Sequence, residues 1–332
     1  MHLAEPEGSP APGRRGRRPL LCLVMLLVAC GGQPAASVPS PTNRPTITSP
    51  IPSPATCRLP ILAGPTGQPG TPQTPGFFAL STLDTTQDPD AGSGARFYDR
   101  QLKRWLPASP PAVSEDGSSY AYVDGDTSTS RLHLVDLRAN KDRVLAEGGP
   151  WRLVGLQPDG AYVVGIADKS RGLWKVALEG GAPVQLTNDS RSWVNVSKGA
   201  AWASVGAMDP GRGLSDVFRL DLQTRQVTTW FARGTRSVLL AIDESGVPLI
   251  MNERDVNELW RVPSPEAGVM VWSGAPTAMG PYAPAALDGS VVWFSSRNAA
   301  SDSGIYRYSA EKGVQLVATF VDRRVSVAGP CA

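Results

Sequence analysis

Histidine is almost absent from this sequence, and its scarcity excludes several kinds of chemistry. Only His2 and His133 occur in 332 residues, so a Ser-His-Asp triad would have to be built on His133. The sequence also lacks the Gly-x-Ser-x-Gly motif that presents a nucleophilic serine in many hydrolases. If residues 1–29 are removed as a signal and Cys30 carries lipid, as expected below, one histidine and two cysteines remain, which excludes zinc sites of the Cys-His type.

An excess of charge of one sign is missing too. The formal net charge is +2, and residues 1–29 account for all of it because they hold four arginines against two glutamates. The remaining chain is formally neutral, which argues against a protein that binds nucleic acid or anionic membranes in general. Residues 20–29 are apolar, but ten residues are too few to span a bilayer as a helix.

This apolar run has instead the length of a signal-peptide core and follows the four arginines. Leu27, Val28, Ala29 and Cys30 then resemble the lipobox of bacterial lipoproteins. The resemblance implies cleavage before Cys30 and attachment of acyl chains such as palmitate, which hold the protein on the extracytoplasmic face of a membrane, at the cell surface or in the periplasm. The alternatives are an ordinary secretory signal with a chance cysteine, or a short buried strand. Residues 17–21 are also similar to a loose twin-arginine export motif.

Residues 30–56 contain mostly Pro, Ser, Thr, Ala and Gly, with Arg44 as their single charge. Such a segment cannot bury enough apolar surface to order itself, so it is expected to be a disordered tether. A Pro-rich ligand for a recognition module is the alternative function. The expected domains are therefore a signal peptide at residues 1–29, the tether at 30–56 and one folded domain at 57–332, whose first strand begins at an undetermined place before residue 76.

The folded domain is rich in turn-forming residues and contains an internal repeat. The whole chain has 34 Gly, 31 Pro and 41% hydrophobic residues, which favours an all-β fold with few long helices. The clearest copy of the repeat is a predicted hairpin at residues 173–188, which turns at Gly180 and Gly181. Its outgoing strand recurs six times, at residues 95–99, 132–137, 173–176, 217–222, 259–263 and 305–308. Successive copies are separated by 37 to 46 residues, which matches four-stranded propeller blades.

A second feature recurs in phase with the first. A glycine turn followed by a strand precedes each of the last five copies, and Asp-Gly suits a tight turn because glycine accepts a positive φ. The turns end at Gly117, Gly160, Gly199, Gly246 and Gly289. Two markers in phase predict a repeated four-stranded sheet.

The cadence of residues 157–160 and 180–187 resembles the repeats of TolB-type, WD40-like propellers. The similarity covers residues 76–328, although the Gly-His and Trp-Asp marks of WD40 repeats are missing. It implies a six-bladed β-propeller. Because the first repeat, with strands at residues 76–82 and 95–99, lacks an innermost strand, residues 323–328 are expected to complete the first blade and so remove two exposed edges.

The cysteines support this closure. Cys22 leaves with the signal and Cys30 carries lipid, so Cys57 and Cys331 remain at the two ends of the folded domain. In an oxidising compartment outside the cytoplasm, they are expected to form a disulfide. Two free thiols at frayed ends are the alternative.

The candidate binding site lies where the predicted innermost strands begin, because ligands of propellers usually bind at the mouth that these strands line. Arginines and aromatic residues recur there: Trp151, Arg152, Arg191, Trp193, Arg236, Tyr282 and Arg324. If they face the channel, they form a cationic, stacking surface for an anionic or sugar-like ligand. If they point outward, they form a solubilising rim with packed aromatics.

Two other groups of residues were considered as sites. His133 occupies a strand position that other copies fill with Trp174, Phe218, Trp260 and Tyr306, which favours a packed role over catalysis. Calcium needs only oxygen ligands, so the loops at residues 88–90 and 124–128 could bind it, although neither completes an EF-hand loop and solvated turns explain both. No other cofactor and no catalytic residue is predicted.

These features predict a lipid-anchored, non-catalytic binding or scaffolding propeller, which we expect to be a monomer. Its partner would be an unknown protein, glycan or anionic ligand, and nucleic acid is not expected. The alternative from another class is a metal-dependent enzyme, similar to propeller lactonases or sugar dehydrogenases, which would need carboxylates converging on the channel. A structural component of the cell envelope is a third possibility.

Overall fold

β-Strands joined by short turns make up almost all of the described structure. The computed structural model describes residues 57–65, 73–92, 94–125, 129–165, 171–204, 216–233, 236–253, 256–274, 285–297 and 302–332. All of them belong to one compact unit. Cys30, the predicted signal and tether, and Tyr282 lie outside these residues. No described residue belongs to a helix long and apolar enough to cross a lipid bilayer.

The first sheet begins earlier than the repeat predicts. Its first three strands are β1 (Arg58–Pro65), β2 (Thr74–Ala79) and β3 (Asp84–Gln87). β1 holds Pro60 and Pro65, which by themselves argue against a strand. It forms because Leu59 and Ile61 lie on one face of the strand and are fully buried, while Pro60 between them is buried as well and Pro65 is exposed at the end.

The prediction that the strand at residues 95–99 belongs to the first blade is wrong. It does not join the first sheet but forms a separate two-stranded hairpin from β4 (Phe97–Asp99) and β5 (Arg104–Leu106). Its alternation does mark a strand, as predicted, but alternation does not specify which strand will pair with it. The repeat count included this strand, so the number of six blades stays a prediction.

The second sheet has three strands, which are β6 (Ser119–Asp124), β7 (Ser130–Asp136) and β8 (Lys141–Gly149). A 3₁₀ turn at Pro110–Ala112 precedes it. Val113, directly after this turn, makes a single antiparallel bridge to Tyr120. Val113 therefore occupies the side of β6 on which the other sheets have a full strand.

Four further sheets share one antiparallel order, in which each strand pairs with the next in sequence. The third sheet contains β9 (Trp151–Gln157), β10 (Gly160–Gly165), β11 (Gly172–Val176) and β12 (Val184–Thr187). The fourth contains β13 (Trp193–Ser197), β14 (Ala200–Ala203), β15 (Val217–Asp221) and β16 (Val227–Phe231). The fifth contains β17 (Arg236–Ile242), β18 (Pro248–Glu253), β19 (Asn257–Arg261) and β20 (Val269–Gly274). The sixth contains β21 (Ala286–Asp288), β22 (Val291–Arg297), β23 (Ser303–Ser309) and β24 (Gly313–Phe320).

The C-terminal strand closes the first sheet, as predicted. β25 (Arg323–Val327) pairs antiparallel with β1, so that Val327 faces Ile61, and the sheet order becomes β25-β1-β2-β3. Cys57 and Cys331 form the expected disulfide beside this closure. We call β9, β13, β17, β21 and β25 the leading strands, because each stands first in the order of its sheet.

Apolar clusters lie between consecutive sheets. Each cluster takes buried side chains from two neighbouring sheets, so burial of apolar surface joins the sheets side by side. From the second sheet onward, representative pairs are Leu132 with Val163, Leu173 with Trp193, Trp202 with Ile250, Met251 with Phe294, and Trp293 with Ile61.

The β4–β5 hairpin fills the remaining junction, between the first and second sheets. On one side, the Phe77 ring of β2 contacts Tyr98 at 5.0 Å and Trp105 at 5.9 Å between ring centroids. The Tyr98 amide also donates to the carbonyl of Ala328, next to β25. On the other side, the Asp99 carboxylate lies against Gly117, at the turn before β6. The hairpin therefore contacts the first sheet on one side and the turn before the second sheet on the other.

The predicted glycine turns are present. Gly117 has a φ of 66° and Gly289 has a φ of 59°, and residues other than glycine rarely adopt this backbone region. The strands predicted after the five turns correspond to β6, β10, β14, β18 and β22. In the third to sixth sheets, these turns join each leading strand to the second strand of its sheet, so that the two strands run antiparallel.

Candidate functional site

The first residues of the leading strands form the candidate site predicted from the sequence. We call this end of the sheets the strand-start end. Arg152 is the second residue of β9, Arg236 is the first residue of β17, and Arg324 is the second residue of β25. Arg191 lies two residues before β13. Each of these four arginines thus lies within two residues of the start of a leading strand.

Arg152 and Trp193 connect two neighbouring leading strands. The Arg152 Nη2 donates a hydrogen bond of 2.8 Å to the main-chain carbonyl of Trp193, 41 positions along the chain. Residue 152 is exposed, so one face of its guanidinium meets solvent while this donor is used by the protein. The contact places the start of β9 directly beside the start of β13.

Arg191 has an anionic partner and an aromatic platform. It forms an ion pair with Asp189, and its guanidinium carbon lies 4.0 Å from the centroid of the Phe218 ring. Burial lowers the pKa of the Arg191 guanidinium from its usual value. Partial loss of water makes a guanidinium a stronger partner for anions, because less hydration is given up on binding.

The two tryptophans are packed rather than presented to solvent. Trp193 is fully buried in the cluster between the third and fourth sheets. Trp151 is partly buried and contacts Trp174, with ring centroids 5.9 Å apart, and its amide donates to the Ser130 hydroxyl. These positions are those of packed aromatics, which is the second of the two alternatives that the sequence leaves open.

Arg236 and Arg324 lie at the starts of β17 and β25. Both side chains are partly covered, and Arg324 lies opposite Gly64 in the register of β25 with β1. Tyr282 lies outside the described residues. The predicted set therefore contains one cluster, Arg152 with Arg191 and Trp193, and two more arginines at the starts of other leading strands.

Asp189 and Phe218 belong to this cluster, but the sequence analysis did not assign them to the site. Asp189 lies two residues before Arg191, a spacing that could have suggested their ion pair. Phe218 was identified only as a repeated aromatic position. No sequence signal relates it to Arg191, because their contact depends on how β15 packs beside the segment before β13.

His133 is packed, and it also belongs to a polar network. Its ring stacks on Tyr122, with centroids 4.6 Å apart and planes inclined by 17°. Its Nδ1 lies 3.0 Å from Asp142 Oδ1, and its Nε2 lies 3.4 Å from Asp124 Oδ2. These groups sit on β6, β7 and β8.

Two carboxylates of the predicted calcium loops, Asp88 and Asp124, have protein partners. Asp88 accepts a hydrogen bond of 2.9 Å from Trp105 Nε1. Asp124 accepts from Arg131 Nε at 3.2 Å and from Arg131 Nη2 at 2.8 Å. Within the residues that the structure describes, no three His, Cys, Asp or Glu side chains gather in a way that could hold a metal ion.

Comparison with solved structures identifies the architecture. TolB from Acinetobacter baumannii superposes with a TM-score of 0.54 at 14% identity, over 84% of this chain and 68% of that one. The fold is a TolB-type β-propeller. A candidate TolB from Agrobacterium tumefaciens gives a TM-score of 0.49 at 12% identity, over 82% of this chain and 93% of its own. The β-propeller domain of the Trilobed protease from Pyrococcus furiosus gives 0.43 at 12% identity, over 79% and 83%.

No family model and no curated protein matches the sequence. The propeller fold nevertheless defines the position of the leading strands, because the first strand of each propeller blade lines the central axis. The strand-start end is therefore one mouth of the propeller. Arg152 and Arg191 lie at this mouth, on neighbouring blades.

Proposed function

We propose that this chain is a non-catalytic binding protein that takes an anionic ligand at the strand-start end of its propeller. The observation that carries this proposal is the hydrogen bond from Arg152 to the main chain of Trp193, which places Arg152 beside the start of the next leading strand, two residues after Arg191. Arg236 and Arg324 supply the same charge at the starts of two other leading strands. Planar guanidinium groups suit carboxylate and phosphate ligands.

The charge balance at these positions supports an anionic ligand. Asp189 neutralises Arg191 in the unbound protein, but an ion pair at a partly exposed site is weak and can exchange for a ligand. Arg152 keeps its positive charge while it donates to the main-chain carbonyl of Trp193, so it adds to the attraction for an anion at this end.

We further propose that the protein acts outside the cytoplasm and is held on a membrane through lipid on Cys30. The disulfide between Cys57 and Cys331 supports an oxidising compartment. Residues 31–56 would then separate the propeller from the membrane. In host cells, Cys30→Ser should move the protein from the membrane fraction to the soluble fraction and abolish incorporation of a labelled fatty acid. Unchanged membrane association and labelling would rule out this anchor.

A thermal-shift screen of the purified full chain tests the class of ligand. The proposal predicts that a ten-residue polyglutamate peptide raises the melting temperature, because a ligand that binds only the native state stabilises it. A neutral polyglutamine peptide of equal length is the matched control and should have no effect. The alternative metal-dependent enzyme predicts instead that calcium raises the melting temperature, and a response to calcium alone would contradict the proposal.

A further inference from the structure

The second sheet carries a polar network on the face opposite its apolar cluster. Along β6, Ala121 belongs to the cluster with the third sheet, and Tyr122 and Asp124 therefore point to the other face. Along β7, Leu132 belongs to the same cluster, which places His133 beside Tyr122. The three strands of this sheet thus contribute one group each: Asp124, His133 and Asp142.

His133 lies between two carboxylates. The distances are 3.0 Å from Nδ1 to Asp142 Oδ1 and 3.4 Å from Nε2 to Asp124 Oδ2. Residue 133 is only 9% exposed, and within the described residues its buried Nε2 makes no hydrogen bond of good geometry. Each ring nitrogen therefore faces a carboxylate, and the ring itself is shielded from water although the two carboxylates are partly exposed.

The surrounding groups fix both carboxylates in place. The Tyr122 hydroxyl donates a hydrogen bond of 2.6 Å to Asp142 Oδ2, so both oxygens of Asp142 are engaged. Burial and this hydrogen bond raise the pKa of Tyr122 to about 12, so the phenol remains a donor at any physiological pH. Arg131 pairs with Asp124, and its hydrogen bond lowers the pKa of that carboxyl. Tyr120 and Glu147 are the other titratable groups that interact with this network.

The protonation state of the ring decides whether this arrangement attracts or repels. A neutral imidazole has one N–H and one lone pair, so one of its nitrogens would present a lone pair to a carboxylate. An imidazolium donates from both nitrogens and attracts both carboxylates. The charged ring can therefore donate to both carboxylates, whereas the neutral ring turns a lone pair towards one of them.

We propose that His133 is a proton-operated clamp that, in its charged form, ties β6, β7 and β8 together through Asp124 and Asp142. β8 pairs with β7 alone, so it is the strand that loosens when the clamp loses its proton. The clamp does not depend on the proposed ligand, because none of the arginines of the strand-start end belongs to it.

Hydrogen exchange of the full chain, followed by mass spectrometry at several pH values, tests the clamp. Protection factors rather than raw rates are compared, so that the intrinsic pH dependence of exchange is removed. Protection of β8 should fall roughly fivefold from about pH 5.5 to pH 7.5. Protection of β24, an outer strand of the sixth sheet without histidine, should stay constant. Equal behaviour of the two strands would overturn the proposal.

Variants separate the clamp from simple packing. His133→Phe keeps a ring against Tyr122 but has no nitrogen, so protection of β8 should become independent of pH over the same range. Asp124→Asn should reduce the pH dependence, whereas Glu147→Gln on β8 should retain it. A pH dependence that survives in His133→Phe would assign the effect to another group and contradict the proposal.

One measurement does not require any variant to fold. Long-range nitrogen–carbon NMR of the wild-type imidazole reports whether one or both ring nitrogens carry protons. The clamp predicts two protonated nitrogens in His133 at every pH at which β8 is protected, and one protonated nitrogen where that protection is lost. A single neutral tautomer at a pH at which β8 is still protected would overturn the proposal.

Discussion

Cys57 and Cys331 are joined by a disulfide although 274 positions separate them in the sequence. The bond lies beside the pairing of β1 with β25, where the start and the end of the propeller meet. It therefore covalently closes a junction that strand pairing also closes. The disulfide and the strand pairing should therefore both stabilise the fold.

Replacing both cysteines by serine should lower the free energy of unfolding by about 2 to 4 kcal/mol, because the unfolded chain regains the freedom that so long a loop removes. Thermal unfolding with and without reducing agent measures the effect. The double variant should match the reduced wild type and should not respond to reductant. An unchanged melting temperature in both would show that strand pairing alone closes the propeller.

The closing strand gives a second prediction. Val327 is fully buried and faces Ile61, so Val327→Asp would bury an unpaired carboxylate in the cluster between the first and sixth sheets. We expect loss of cooperative unfolding or of soluble protein. Arg323→Ser, on the same strand but exposed, should change the melting temperature little. Comparable stability of the two variants would contradict the role of β25 as an integral strand.

Trp193 tests whether the aromatic residues of the candidate site are structural. Trp193→Ala should cost about 3 to 5 kcal/mol of unfolding free energy, because it removes a fully buried indole from the junction of the third and fourth sheets. Trp174→Ala removes a partly buried indole from β11 and is the matched control, with a smaller expected loss. Denaturant unfolding measures both. A Trp193 variant that is no less stable than the control would show that the indole is not needed for packing.

Asp116 predicts a specific acid sensitivity. Hydrogen bonds from the Ser118 side chain and amide, and from Ser114, lower its pKa from 3.8 to about 2. Because the folded pKa is depressed, this carboxylate stabilises the fold above about pH 4, and its contribution is lost as the pH falls towards 2. Urea midpoints of wild type and Asp116→Asn should therefore converge between pH 4 and pH 2. Exposed Glu311→Gln should show no such convergence, and a constant gap for Asp116→Asn would contradict the assignment.

The strands and turns of the propeller were predictable because their signals are local. Alternating apolar residues predict a strand such as β11, and Gly117 or Gly289 marks a turn that needs a positive φ. Closure by β25 followed from the unpaired strand at the C-terminus, and the disulfide followed from the positions of Cys57 and Cys331. Each of these predictions needed only residue types and their order.

Pairing partners were not predictable in the same way. The segment at residues 95–99 has the alternation of a blade strand, yet it pairs with β5, because Trp105 and Leu106 follow within one short turn. In the candidate site, the arginine positions followed from the repeat, but the contact of Arg152 with Trp193 depends on how two sheets pack. The two carboxylates around His133 lie nine residues away on either side, and only strand register brings them together.

The central claim is that the arginines at the strand-start end bind an anionic ligand. Fluorescence anisotropy of a labelled ten-residue polyglutamate peptide, titrated with the full chain, tests it directly. The triple variant Arg152→Ala, Arg191→Ala and Arg236→Ala should bind at least about tenfold more weakly than wild type, because charge-assisted hydrogen bonds are lost.

The matched control removes three cations from the third strands of the same blades, through Lys175→Ala, Arg219→Ala and Arg261→Ala. Those side chains pair with Asp159, Asp221 and Asp243, away from the strand starts. Melting temperatures of both triple variants ensure that folded proteins are compared. The account predicts weakened binding in the first variant and wild-type affinity in the second; equal affinity of the first variant and wild type would contradict it.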